Sequence, residues 1–197
     1  MFYPGNRKVK FISFFLVIAA LPFFIDGCSG GRNASEKNSL LTAETAKSRS
    51  SGLKVKIPGG WFTALDNENN IIDLWLIKED YSASLNFIAL NIDEAALKES
   101  GGDEIAAAVK FSKAFRKSSA EDSFQSAGDD EYFKSGTENA GAYKYRNKSG
   151  SLIRVVVFRY QNKFYELSAV PSPKINLPQN AVEELFNIQN SVLSSVE

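Results

Sequence analysis

The chain opens with an uncharged apolar run, passes through a polar stretch, and then settles into short alternations of apolar and polar residues. Residues 11–25, FISFFLVIAALPFFI, carry no charge, follow Arg7, Lys8 and Lys10, and are interrupted by Pro22. As a helix this run would extend roughly 22 Å, short of the roughly 30 Å hydrocarbon core of a bilayer. It reads as the core of a secretory signal and not as a stable span. Residues 29–52, SGGRNASEKNSLLTAETAKSRSSG, hold six serines and three glycines, with Leu40 and Leu41 as the only large apolar residues. That composition cannot offset chain entropy by burial, so a flexible tether with a reach of roughly 25–30 Å is expected.

From Leu53 the pattern becomes that of a folded domain. Leu53, Val55 and Ile57 alternate with Lys54 and Lys56 before Pro58-Gly59-Gly60, which predicts a first strand with one buried face. Further strands are expected at about 71–77, 84–92, 141–147, 151–160 and 163–170. The last three are separated by Lys148-Ser149-Gly150 and Gln161-Asn162, and so should form an antiparallel meander. Leu85, Phe87 and Ala89 alternate with Ile88, Leu90 and Ile92, and Val155 and Val157 alternate with Val156 and Phe158. Strands apolar on both faces need cover on both sides. Two helices can supply it. One begins near Asp103 with Ile105, Ala108, Val109, Ser112 and Phe115 on a common face, and the other follows Pro178 with Ala181, Leu185, Ile188, Val192 and Val196. The expected architecture is α+β, a largely antiparallel sheet between helices.

Composition narrows the chemistry. The 197 residues include 23 Lys plus Arg and 23 Asp plus Glu, so no basic field points to nucleic acid. There is no histidine, and Cys28 is the sole cysteine. Catalysis by Ser-His-Asp or Cys-His, zinc sites of the usual Cys and His types, and internal disulfides are thereby excluded. No Walker loop, G-x-G-x-x-G or G-x-S-x-G occurs. No catalytic residue, metal ligand or cofactor is expected.

Ile25-Asp26-Gly27-Cys28 resembles the lipobox of bacterial lipoproteins, in which a branched aliphatic, a variable residue and a small residue precede an obligatory cysteine. The resemblance implies cleavage between Gly27 and Cys28 and lipidation of Cys28. Asp26 departs from the small or weakly polar residue usual there. Two acyl chains suffice for stable anchoring, where one is marginal. Ser29, in place of the aspartate associated with inner-membrane retention, favours the outer membrane in a diderm cell. Asn33-Ala34-Ser35 and Asn147-Lys148-Ser149 are chance matches to the glycosylation pattern.

The domain carries a second resemblance. Val55-Lys56-Ile57-Pro58-Gly59-Gly60-Trp61, the Leu74-Trp75-Leu76 strand, the late hairpins and the closing helix look like the Mog1/PsbP-like α/β/α sandwich. The likeness spans residues 53–197; with the signal and tether readings above, the expected division is 1–27 signal peptide, 28–52 lipidated cysteine and tether, 53–197 domain. The family includes a Ran-binding nuclear import factor, an extrinsic photosystem II subunit and bacterial envelope lipoproteins.

Side chains that invite a site have plainer readings. Trp61 and Trp75 suit core packing. Asp129-Asp130-Glu131 and Glu79-Asp80 read as solvated loops, since no calcium-loop spacing accompanies them. Arg146, Arg154 and Arg159 read as surface charges, the last two on opposite strand faces. The expected function is that of a membrane-anchored envelope lipoprotein whose domain binds another envelope protein or stabilises an assembly, without catalysis and without nucleic acid. The alternative is binding of a small apolar ligand or lipid in a cavity beside the aromatic-rich sheet. An enzyme using carboxylates, Ser, Tyr or Lys ranks below both.

Overall fold

The computed structural model describes residues 40–48, 50–64, 71–93, 97, 102–119 and 123–197. Ten strands and two helices are placed among them. They are β1 (Leu41–Lys47), β2 (Lys54–Pro58), β3 (Trp61–Thr63), β4 (Leu74–Lys78), β5 (Ala83–Leu90), α1 (Glu104–Ser119), β6 (Gln125–Ser126), β7 (Glu131–Ser135), β8 (Glu138–Arg146), β9 (Leu152–Tyr160), β10 (Lys163–Pro171) and α2 (Gln179–Leu193). An eight-stranded sheet runs in the order β3-β4-β5-β10-β9-β8-β6, with β7 also on β8, and β1 and β2 form a separate ribbon. Every strand pair is antiparallel. The expected meander is β8-β9-β10, with Gly150 at φ 79° and Gln161 at φ 54° in its two turns.

The sheet is apolar on both faces, as the doubled alternation predicts. One face presents Leu74, Leu76, Leu85, Phe87, Val156, Phe158, Tyr165 and Leu167 to Leu185, Ile188 and Val192 of α2. The other presents Tyr143, Tyr145, Ile153, Val155, Val157 and Phe164 to Ala108 and Val109 of α1. Pro178 stands at the N-cap of α2 with φ −65° and ψ 156°, one position before the predicted first turn. Its carbonyl accepts from the N–H groups of Ala181 and Val182.

Three differences from the sequence expectations have physical causes. First, residues 41–47, assigned above to a tether, form β1 on the edge of β2. A mostly solvated edge strand needs few apolar side chains. Ala46 supplies the buried contact, and backbone pairing does the rest. The serines that lowered the apolar content act as donors, because Ser48 and Ser51 reach Asp73 at 2.8 and 2.6 Å and Ser50 joins them. Second, β3 and β6 are edge strands too short for alternation to show, and β7 carries its two aromatics, Tyr132 and Phe133, side by side, so no period-two pattern marks it. Third, Phe115, expected on the inner face of α1, is 51% exposed, because the last turns of the helix direct Arg116 to the sheet instead.

Close approach of α1 to the sheet depends on Gly141. A Cβ there would stand 2.6 Å from Cγ2 of Val109 and 3.2 Å from Cγ2 of Ile105. Gly141→Ala is expected to cost about 1–3 kcal/mol by overpacking. Gly59→Ala, where a Cβ meets nothing within 4 Å, should be nearly neutral. Urea unfolding of the two variants checks the contrast, and equal stabilities would refute the packing argument.

Candidate functional site

Gly27 and Cys28, the predicted cleavage and lipidation positions, lie outside the described residues. Trp61 is buried in the core on the α2 side, as expected. Trp75 is only partly buried and lies opposite Asn86 on β5. Among the described residues, neither the indole Nε1 of Trp75 nor Oδ1 of Asn86, both buried, has a hydrogen-bond partner.

The acidic run is not simply a solvated loop. Asp130 pairs with Lys113 of α1 at 2.7 Å, and Glu131 opens β7 and bonds Lys144 at 2.5 Å. Burial pushes the Glu131 carboxyl up, but Lys144 and Arg154 outweigh it and hold the group below its ordinary range. No group of three or more potential metal ligands converges among the described residues. Asp80, beside Glu79, accepts from the Ser82 N–H at 2.9 Å, and its hydrogen bonds to Ser82 and the nearby Lys78 bring its pKa to about 2. This carboxylate pins the β4–β5 turn around Tyr81 at φ 58°.

The arginines divide by strand parity as predicted, but not all are surface charges. Arg146 is exposed and donates to the Gly150 carbonyl. Arg159 pairs with Glu104 at the start of α1. Arg154 is 5% exposed on the α2 face, and its Nη1 donates to Gln189 Oε1 at 2.9 Å and Asn190 Oδ1 at 2.8 Å. Burial draws its guanidinium pKa down against the opposing pull of Glu131. Gln189 is fully buried and donates to the carbonyls of Arg154 and Leu167, so this one amide holds α2 to two adjacent strands.

A second polar cluster lies beneath α1. Glu166 of β10 is fully buried and accepts from Ser112 at 2.5 Å, from Arg116 Nε at 3.0 Å and from Arg116 Nη2. Tyr143 and Ser112 oxygens are 2.7 Å apart. Since Ser112 has one proton and directs it to Glu166, Tyr143 must donate to Ser112. Burial, reinforced by the Glu166 charge, pushes the Tyr143 phenol well above its usual range and keeps that proton in place. Burial pulls the Arg116 guanidinium down, and the Glu166 carboxylate more than restores it. Each group in this chain of contacts is committed to another. No periodic signal marks the cluster, whose members are drawn from α1, β8 and β10. A lone glutamate inside an otherwise apolar strand pattern, Phe-Tyr-Glu-Leu, was the available clue.

Open clefts lie elsewhere. The β7–β8 turn, the β9–β10 turn and the end of α2 enclose about 510 Å³, lined in part by Thr137, Glu138, Asn139, Tyr160, Gln161 and Ser194. On the opposite face of the β9–β10 hairpin, Asn91, Leu97, Glu104, Asn162 and Phe164 border about 450 Å³. Arg159 lines both. These clefts are open to solvent and rich in turn backbone, unlike the enclosed apolar chamber that carriage of a lipid requires. None of Ser112, Arg116, Tyr143 and Glu166 lines either cleft. This end of the sheet is framed by the β7–β8 and β9–β10 turns and the end of α2.

No family model matches the chain, and no curated protein matches it. Among solved structures, the chain is similar to the solution structure of cyanobacterial PsbP (CyanoP) from Synechocystis sp. PCC 6803. The TM-score is 0.54 at 14% identity, over 78% of this chain and 91% of that one. The fold is PsbP-like and α+β.

Proposed function

We propose that this chain is a lipid-anchored envelope protein whose PsbP-like domain works by non-catalytic binding, holding a protein partner or assembly at the membrane. The carrying observation is the juxtaposition of Ile25-Asp26-Gly27-Cys28, behind a charge-free apolar run, with a domain whose buried ionisable groups are engaged with one another. A catalytic acid or nucleophile needs access to substrate. Here Glu166 is fully buried, with Ser112 and Arg116 occupying its carboxylate, and Arg154 spends its donors on α2 and β7. The hairpin end carrying Thr137 and Gln161 is the surface nominated for the protein partner.

Two measurements test this reading. Metabolic labelling with an alkyne fatty acid is expected to mark the wild-type chain, and Cys28→Ala is expected to lose both the label and stable membrane attachment. Labelling that survives the substitution would remove the anchor assignment. A photo-cross-linking amino acid at Thr137 or Gln161 in intact cells should give the same discrete adduct from both positions. Monomer alone from both would remove the binding role.

A further inference from the structure

The outer face of α1 has a composition unlike the rest of the chain. After Glu104 the helix reads IAAAVKFSKAFRKSS, with four bases and no acid, in a protein whose opposite charges balance at 23 each. Two of those bases are used internally, Lys113 by Asp130 and Arg116 by Glu166. Lys110 and Lys117 are exposed, without an ion-pair partner among the described residues. Phe111 and Phe115, one helical turn apart, are 37% and 51% exposed. At 100° per residue, Lys117, Lys110, Ala114, Ser118, Phe111 and Phe115 follow one another around a single side of the helix. A narrow aromatic strip therefore runs beside a basic strip, on a helix whose opposite side is held to the sheet by Val109, Ser112 and Arg116.

We propose that this face of α1 rests on an anionic lipid surface, with the phenyl rings at the level of the acyl boundary and Lys110 and Lys117 among the headgroups. The pattern is that of an interfacial helix, in which aromatic residues enter the headgroup region and lysines reach anionic lipids. The inference rests on the anchor proposed above, and the chain length is compatible with it. From Cys28 to Leu40 is twelve residues along the sequence, a span of at most roughly 40 Å. The β1–β2 ribbon packs in the α2 layer, with Ala46, Val55 and Ile57 in the same cluster as Leu185 and Ile188, so Leu40 lies across the sheet from α1. Layers pack about 10 Å apart, so with α1 lying on the bilayer the tether has to cover roughly 20–30 Å. It is long enough. An acidic protein is the competing occupant, and what favours the lipid surface is the tether, which holds the domain within this distance of a bilayer.

The test uses the full chain reconstituted in phosphatidylcholine vesicles, with and without phosphatidylglycerol, and carrying Phe115→Trp as a depth probe. Brominated acyl chains are expected to quench the new indole in anionic vesicles, above the wild-type background of Trp61 and Trp75. Added salt, or Lys110→Glu with Lys117→Glu, should lower that quenching at least about threefold. Lys174→Glu, on an exposed loop beside a different cleft, should leave it unchanged. Vesicle flotation reports the anchor separately, since it depends on Cys28 and not on α1. Flotation with no lipid-dependent quenching would overturn the docking face while leaving the anchor standing. Quenching that responds equally to Lys174→Glu, or an unquenched probe with a protein cross-link at Ala114, would overturn it as well.

Discussion

Replacing Arg116 by methionine is expected to destabilise the protein by about 3–5 kcal/mol, because it strands the Glu166 carboxylate in the interior. Glu166 has no exposure, and Arg116 supplies two of the three donors that reach it. Methionine fills much of the same volume, so the loss reports charge and not packing. The double variant Arg116→Met with Glu166→Gln should recover part of that stability. It removes both charges and leaves an amide oxygen to accept from Ser112. Urea unfolding at neutral pH measures both. A single-variant loss below about 1 kcal/mol, or a double variant no more stable than the single, would show that the pair is not the organising contact beneath α1. The cluster is therefore assigned to holding α1 on the sheet, which also fixes which side of α1 faces outward.

The second large effect is expected at Gln189. Gln189→Leu is close in size, but it leaves the carbonyls of Arg154 and Leu167 without their side-chain donor and takes one acceptor from the buried guanidinium. The two carbonyls keep their β9–β10 ladder partners and Arg154 keeps Asn190 and Glu131, so the loss of three buried hydrogen bonds at about 0.5–1.5 kcal/mol each gives a net loss of about 2–4 kcal/mol. For a domain of this size that is a fall in melting temperature of roughly 4–16 °C. Gln179→Leu, on the exposed first turn of the same helix, should stay within about 0.5 kcal/mol of wild type. Comparable losses at both positions would point to helix propensity, not to the amide clamp.

The two clusters explain how far strand parity carried the reading of the arginines. Arg154 and Arg159 are five residues apart, so their opposite faces follow from the pleat alone. That Arg154 is buried and Arg159 exposed does not follow. It depends on α2 bringing Gln189 and Asn190 across one face while α1 offers only the exposed Glu104 to the other. The Asp129-Asp130-Glu131 run is similar. Composition marks it as polar, and only the proximity of Lys113, Lys144 and Arg154 turns its last two residues into structural contacts. For the candidate site, the sequence named Gly27 and Cys28 but gave no sign of the hairpin-end clefts. Those clefts are formed by turns and a helix end far apart in the chain.

What the sequence determined by itself was what repeats over a few residues. The alternation of period two marked β2, β4, β5, β8, β9 and β10, and doubled alternation called for cover on both faces. Spacing of three and four residues located α1 and α2, and the missing histidine removed whole classes of chemistry. Such signals survive because backbone geometry imposes its period locally. The tertiary structure alone decided that a largely polar segment becomes β1, that Arg116 displaces Phe115 from the inner side of α1, and that Glu166 meets a partner fifty residues away. Those outcomes are set by which surfaces meet when helices and ribbon close over the sheet. A buried charge accepts only a partner that the packing delivers, and the position of that partner is written in no local pattern.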